Sequence, residues 1–212
     1  MKHTRLLLSL ALMLVGQTLH AQQSEADRKA LVALRAQAEA SDARAQYALG
    51  AAFYAGLFGA ATNYAEAVKW FRKAAEQNDA KAQFELASCY VNGEGVTKDF
   101  GEAAKWYRKA AEQSNVDAQN SLAWRLATSD NPAIRDGSNA VVFAEKAVTA
   151  TSRSVPANLD TLAAAYAETG QFEKAVSTQR EAIALLKTEE EKKDYTSRLK
   201  LYEAKEPYRA KN

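Results

Sequence analysis

The chain has 212 residues, with 28 basic and 26 acidic side chains, and suffices for one domain or one short repeat array. Both histidines, His3 and His20, lie in the first 21 residues, so the remainder can build neither a Ser-His-Asp or Cys-His nucleophile nor a Cys/His zinc site. The single cysteine, Cys89, excludes an internal disulfide, and the near balance of charge gives no basic field to attract nucleic acid.

Residues 1–21 read as a cleavable signal peptide. Lys2, His3 and Arg5 precede the apolar run Leu6–Val15, which is too short to span a bilayer, and TLHA ends at the small residue Ala21 before the polar QQSEADRK. No cysteine follows the run to accept a lipid anchor. The expected product is periplasmic or secreted, starts at Gln22 and is not inserted in a membrane. Removing Lys2 and Arg5 leaves its basic residues in balance with the 26 acidic ones.

From Asp27 onward the apolar spacing is helical, and no proline occurs between Gln22 and Asn131. Residues 22–41 read as a linker and an N-terminal capping helix with Leu31 and Leu34 inward. KWFRKAAEQN at Lys69–Asn78 returns as KWYRKAAEQS at Lys105–Ser114. A second motif, leucine, small residue and a large apolar residue four positions on, recurs as LGAAF at Leu49, LASCY at Leu86, LAWRL at Leu122 and LAAAY at Leu162. Residues four apart share a helix face. Each motif is followed by a turn and an alanine-rich second helix, so the unit is a helical hairpin of 36 to 40 residues used four times. One hairpin cannot bury its apolar face alone, and stacked hairpins can. Asn63 with Glu66 and Asp99 with Glu102 have capping-box spacing. Ser138 is placed to cap a later helix, and Pro156 opens another. Tyr195, Leu199 and Tyr202 share one face of a final charged helix, read as a C-terminal cap over 188–212.

ARAQYALGAAFYAG with NYAEAVKWFRKAAEQ, then AKAQFELASCYVNGEGVTKDFGEAAKWYRKAAEQ, resemble two Sel1-like repeats across residues 42–114. Asn78 and Ser114 stand where the family usually has glycine. Residues 156–187 resemble a tetratricopeptide repeat through Leu162, Ala163, Tyr166, Gly170, Phe172, Ala175 and Ala182. Residues 115–151 form a degenerate repeat between them. The resemblance implies an all-α fold, a right-handed α-solenoid of stacked helical hairpins, that binds other proteins. Some cysteine-rich Sel1-like proteins are linked to β-lactams, but they carry paired cysteines that this chain lacks.

Trp70 and Trp106 fall in register with the alanine stripe and read as core. Cys89 occupies a small-residue position and reads as buried. Lys69, Arg72, Lys73 and Lys105, Arg108, Lys109, interleaved with glutamates, read as a solvated face with Arg72–Glu76 and Arg108–Glu112 ion pairs. The first helices of the hairpins line the concave side in such folds. Their remaining stripe, Arg44, Tyr47, Tyr54, Lys81, Phe84, Ser88, Asn92, Asn120 and Trp124, is the expected partner-binding surface, since aromatics among polar residues suit a peptide or a partner helix. Tyr54 and Trp124 are its expected exposed anchors. No catalytic, metal-binding or cofactor-binding residue is assigned. The expected function is a monomeric, non-enzymatic adaptor of the bacterial envelope whose partner is another protein or peptide, not nucleic acid. A periplasmic immunity protein against a delivered toxin is one alternative, and a carboxylate-dependent hydrolase of cell-wall material is an alternative of a different class.

Overall fold

A computed structural model describes residues 24–210. The expected signal segment and its cleavage point after Ala21 lie outside the described residues. Among those residues ten helices form: α1 (24–39), α2 (Ala43–Ala55), α3 (Tyr64–Glu76), α4 (Ala80–Asn92), α5 (Phe100–Glu112), α6 (Val116–Thr128), α7 (Gly137–Ala150), α8 (Pro156–Glu168), α9 (Phe172–Ala184) and α10 (Glu189–Glu203). They belong to two compact units divided between Lys98 and Asp99, the first holding α1–α4 and the second α5–α10. Within each unit, helices consecutive in the chain pack on one another, as α2 on α3 and α6 on α7.

Short polar side chains start most of these helices. Asp42, Asn63, Asp79, Asp99 and Asn115 each accept a hydrogen bond from a first-turn backbone N–H, a contact worth about 1 kcal/mol. The expected cap Ser138 lies one residue inside α7. Asp136 caps that helix instead, accepting from Asn139 N at 3.0 Å and from the Asn139 side chain at 2.6 Å. Those two bonds hold its carboxyl below the usual range. Pro156 sits in the first turn of α8, where its missing N–H costs nothing.

The core is built on alanine. Ala67 and Ala74 in α3, Ala103 and Ala110 in α5, Ala140, Ala144 and Ala147 in α7, and Ala175 and Ala182 in α9 are wholly buried, and the first helices bury Leu49, Leu86, Leu122, Leu159 and Leu162. Trp70 and Trp106 are buried as the alanine register predicts, at 3% and 9% exposure. Lys73 Nζ lies 4.3 Å from the Trp70 ring centre and Lys109 Nζ 4.2 Å from that of Trp106, so two lysines of the basic face roof the two indoles. The expected Arg72–Glu76 and Arg108–Glu112 pairs do not form. Arg72 turns to donate to the Tyr90 hydroxyl at 2.6 Å, and Arg108 lies over the Phe143 ring. Planar guanidinium gains more from a ring than from a solvated carboxylate. The ion pairs on this face are Lys69–Glu66 and Lys105–Glu102, three residues apart.

Two devices recur where the chain enters the first helix of a hairpin. The glutamine of the Ala-Gln pair in α2, α4 and α6 is buried and donates back eight residues: Gln46 to Ala38 O at 3.0 Å, Gln83 to Ala75 O at 3.1 Å and Gln119 to Ala111 O at 3.1 Å. These carbonyls sit at helix C-termini, where the helix itself offers no donor. The residue after AAEQ is left-handed in both Sel1-like hairpins, with φ 67° at Asn78 and 64° at Ser114. The N–H of Asp79 reaches Ala74 O, and that of Asn115 reaches Ala110 O, which closes a Schellman turn. Asparagine tolerates this conformation, and Asn78 Oδ1 also accepts from Gln83. Serine tolerates it less well.

Two outcomes follow. Ser114→Gly raises stability by roughly 0.5–1 kcal/mol by relieving the left-handed strain, and Asn78→Gly gains less; thermal melting of both variants measures the difference. Trp70→Ala and Trp106→Ala each cost about 3–5 kcal/mol, read as a large fall in denaturation midpoint. A Trp variant that melts normally would mean that its indole does not support the core.

Candidate functional site

In the first unit the expected binding stripe lies on α2 and α4. Arg44 and Lys81, each the second residue of its helix, are exposed and have no ion pair among the described residues. Tyr47 is half-buried against Phe71, with ring centres 6.0 Å apart. Burial raises its hydroxyl pKa first, and the negative charges of Glu85 and Asp79 raise it further. Phe84 is half-buried, and Ser88 turns its hydroxyl back to Phe84 O at 3.1 Å. Tyr54 is not a free anchor. Its ring meets Tyr64 edge-on at 5.2 Å and its hydroxyl donates to Glu94 at 2.7 Å. That hydrogen bond is the main reason its hydroxyl pKa is raised. The same Glu94 oxygen accepts from the exposed Asn92 amide at 3.3 Å. One carboxylate from the Gly-Glu-Gly turn thus fixes the end of the stripe. Gly95 makes that turn possible: at φ 71° a Cβ there would lie 2.2 Å from Tyr64 O.

Cys89 is buried and its thiol is pushed up to about 12, chiefly by burial. An uncharged, enclosed thiol is a poor nucleophile. Among the described residues no group of three or more His, Cys, Asp or Glu side chains is placed to hold a metal ion, and no helix is long and apolar enough to cross a membrane.

In the second unit the remaining expected stripe residues lie on α6, with a different outcome. Trp124 is half-buried rather than open. Tyr208 covers it at 5.7 Å, and the Arg198 guanidinium lies 5.6 Å from its ring centre. Asn120 is half-buried, and its Oδ1 is enclosed with no hydrogen-bond partner. An open cavity of about 290 Å³ is lined by Asn120, Ser121, Trp124, Arg125, Asp160 and Arg198. Arg198 is its organising residue. Nε donates to Asp160 Oδ1 at 2.8 Å, and the guanidinium lies among the rings of Tyr195, Trp124 and Tyr208. Asp160 is buried and also accepts from Gln179 at 2.7 Å. Burial pushes its carboxyl up, with Arg198 and Gln179 pulling it back.

Residues 43–79 and 80–115 match the Sel1 repeat. The chain carries two Sel1 repeats. Solved structures agree. A Sel1 repeat protein from Oxalobacter formigenes matches at TM-score 0.61 and 29% identity over 76% of this chain and 66% of that one. The protective antigen c5321 of uropathogenic Escherichia coli, which displays an SLR fold, matches at TM-score 0.61 and 27% identity over 74% of this chain and 34% of that one. The chain therefore spans about two thirds of the first protein's length and one third of the second's. Among curated proteins none matches. The all-α solenoid class is thus established for this chain, and Sel1 repeat folds characteristically act as scaffolds for protein–protein contact.

Three residues that shape these surfaces are absent from the sequence reading: Glu94, Arg198 and Tyr208. Glu94 was detectable in principle, as the one charged residue of a Gly-x-Gly turn. Arg198 and Tyr208 belong to no repeat, and they reach Trp124 only through the packing of α10 and the return of the chain after it.

Arg198→Ala leaves Asp160 buried and unpaired, which costs about 3–5 kcal/mol at neutral pH. A carboxyl raised in the native state binds its proton there more tightly than in the unfolded chain. The cost is therefore complete above the native pKa and shrinks as pH falls through it. Denaturation of wild type and variant at pH 7 and pH 4 should show the gap narrowing in acid.

Proposed function

We propose that the protein is a non-enzymatic adaptor of the bacterial cell envelope. It is exported by residues 1–21 and binds a protein or peptide partner through the first helices of its Sel1 repeats. The observation that carries this reading is the α2–α4 stripe of the first unit. Arg44 and Lys81 are exposed cations without ion pairs among the described residues, beside the half-buried aromatics Tyr47 and Phe84. Tyr54 and Asn92 are held in place by Glu94. Side chains fixed before binding lose little entropy on association, and unpaired cations favour a partner with acidic groups. The outer helices offer less, because Lys69 and Lys105 already have glutamate partners and Lys73 and Lys109 cover indoles. Export is supported by the apolar run Leu6–Val15 ending at the Ala21 junction.

The test uses the chain purified from periplasmic extract, where mass analysis should find Gln22 as the first residue. Used as bait on envelope extract, the wild type should capture its partner. Arg44→Ala with Lys81→Ala should weaken capture roughly ten-fold at low salt with an unchanged melting temperature. Lys69→Ala with Lys105→Ala should leave capture intact. Loss of capture from the outer pair alone would refute the assignment to the inner stripe, and a full-length cytoplasmic product would refute export.

A further inference from the structure

The chain after α10 turns back onto its own unit. Lys205 adopts a left-handed φ of 59°, Pro207 follows, and residues 206–210 leave the helix. Three consecutive residues then dock. Tyr208 covers Trp124 of α6. Arg209 Nη1 reaches Glu168 Oε2, at the end of α8, at 2.6 Å. The Ala210 N–H donates to Thr128 O at 2.8 Å, with a single parallel bridge between Ser129 and Ala210. Thr128 is the last residue of α6, so its carbonyl has no donor within the helix and takes one from this segment. An extended backbone pairing with an exposed backbone group, with side chains seated alternately, is a common mode of peptide recognition.

The seating is incomplete. Glu168 is not reserved for this segment, since it pairs with Arg209 through one oxygen and with Arg135 at 3.2 Å through the other. Beside Ala210 a gap of about 30 Å³ remains, lined by Phe100, Arg125 and Ile134. The segment has the chemistry of a ligand without a ligand's full complementarity.

From this geometry we infer that the α6–α8 face of the second unit is a receptor for an extended aromatic–arginine–small apolar segment of a partner protein, and that residues 206–210 occupy it until such a segment displaces them. The inference rests on the reading of the protein as a peptide-binding adaptor and names the chemistry of one ligand. The tethered tail competes at an effective concentration on the order of millimolar, so only a better-fitting partner segment removes it.

The synthetic peptide EPYRAKN, residues 206–212, is the probe, titrated against tryptophan fluorescence. A chain ending at Lys205 should bind it, and the full-length chain should bind at least roughly ten-fold more weakly because its own tail competes. Replacing the peptide's arginine with alanine should abolish binding to the shortened chain. If the shortened chain does not fold, the full-length Y208A/R209A variant serves instead and should bind the wild-type peptide more tightly than the unaltered protein does. A folded shortened chain with no response, equal binding by both chains, no gain in the double variant, or a dimer formed by exchanged tails would each overturn the inference. A failed titration with site-dependent capture on α2 and α4 intact would sink this inference and leave the adaptor reading standing.

Discussion

Alanine sets the distance between helices in this protein, and the other features depend on it. A methyl group on every facing turn lets α3 meet its neighbours, and α5 its own, with no exposed surface at Ala67, Ala74, Ala103 or Ala110. Close approach confines large side chains to set positions, so Leu49, Leu86, Leu122 and Leu162 recur at one, and the buried pairs Trp70–Phe71 and Trp106–Tyr107 recur at another. Interiors of this density resist any change of volume. The repeat is therefore conserved within the chain where helices touch and drifts where they do not.

Such a core leaves little freedom at the junctions. Helix ends carry unpaired carbonyls, and here those at Ala38, Ala75 and Ala111 receive the same buried glutamine amide. The fourth hairpin solves the problem less well, with Asn158 reaching Ala147 O at 3.4 Å. The shorter side chain stretches the contact.

The two units use the same kind of helix for different surfaces. On α2 and α4 the aromatics are partly covered by their own hairpins, and cations remain open to solvent. On α6 and α8 the buried Asp160 recruits Arg198, and Arg198 gathers Tyr195, Trp124 and Tyr208 around its guanidinium. A buried carboxylate needs its partner, so the charge pair fixes α10 and lets the following segment reach Trp124 through Tyr208. The same arginine serves both the closure of the unit and the covering of Trp124.

Much of the fold was legible from residues alone, because hairpin packing leaves a periodic trace. The Leu-small motif, the alanine stripe, the Asn63 and Asp99 caps and the burial of Trp70, Trp106 and Cys89 are local or periodic, and each appears in the structure as read. Helix ends with two plausible caps were not decidable in that way: Ser138 and Asp136 are both good caps, and only the turn ahead of α7 selects the aspartate. Nor were long-range side-chain choices. Arg72 prefers Tyr90 to Glu76, Tyr54 gives its hydroxyl to Glu94 forty residues away, and Trp124 receives a cover from Tyr208. Sequence by itself determined which residues form hairpins, since that is settled by spacing along one helix. Tertiary structure alone decided which binding-stripe residues stay open, since that depends on where distant segments return, and no periodicity records the return of a single tail.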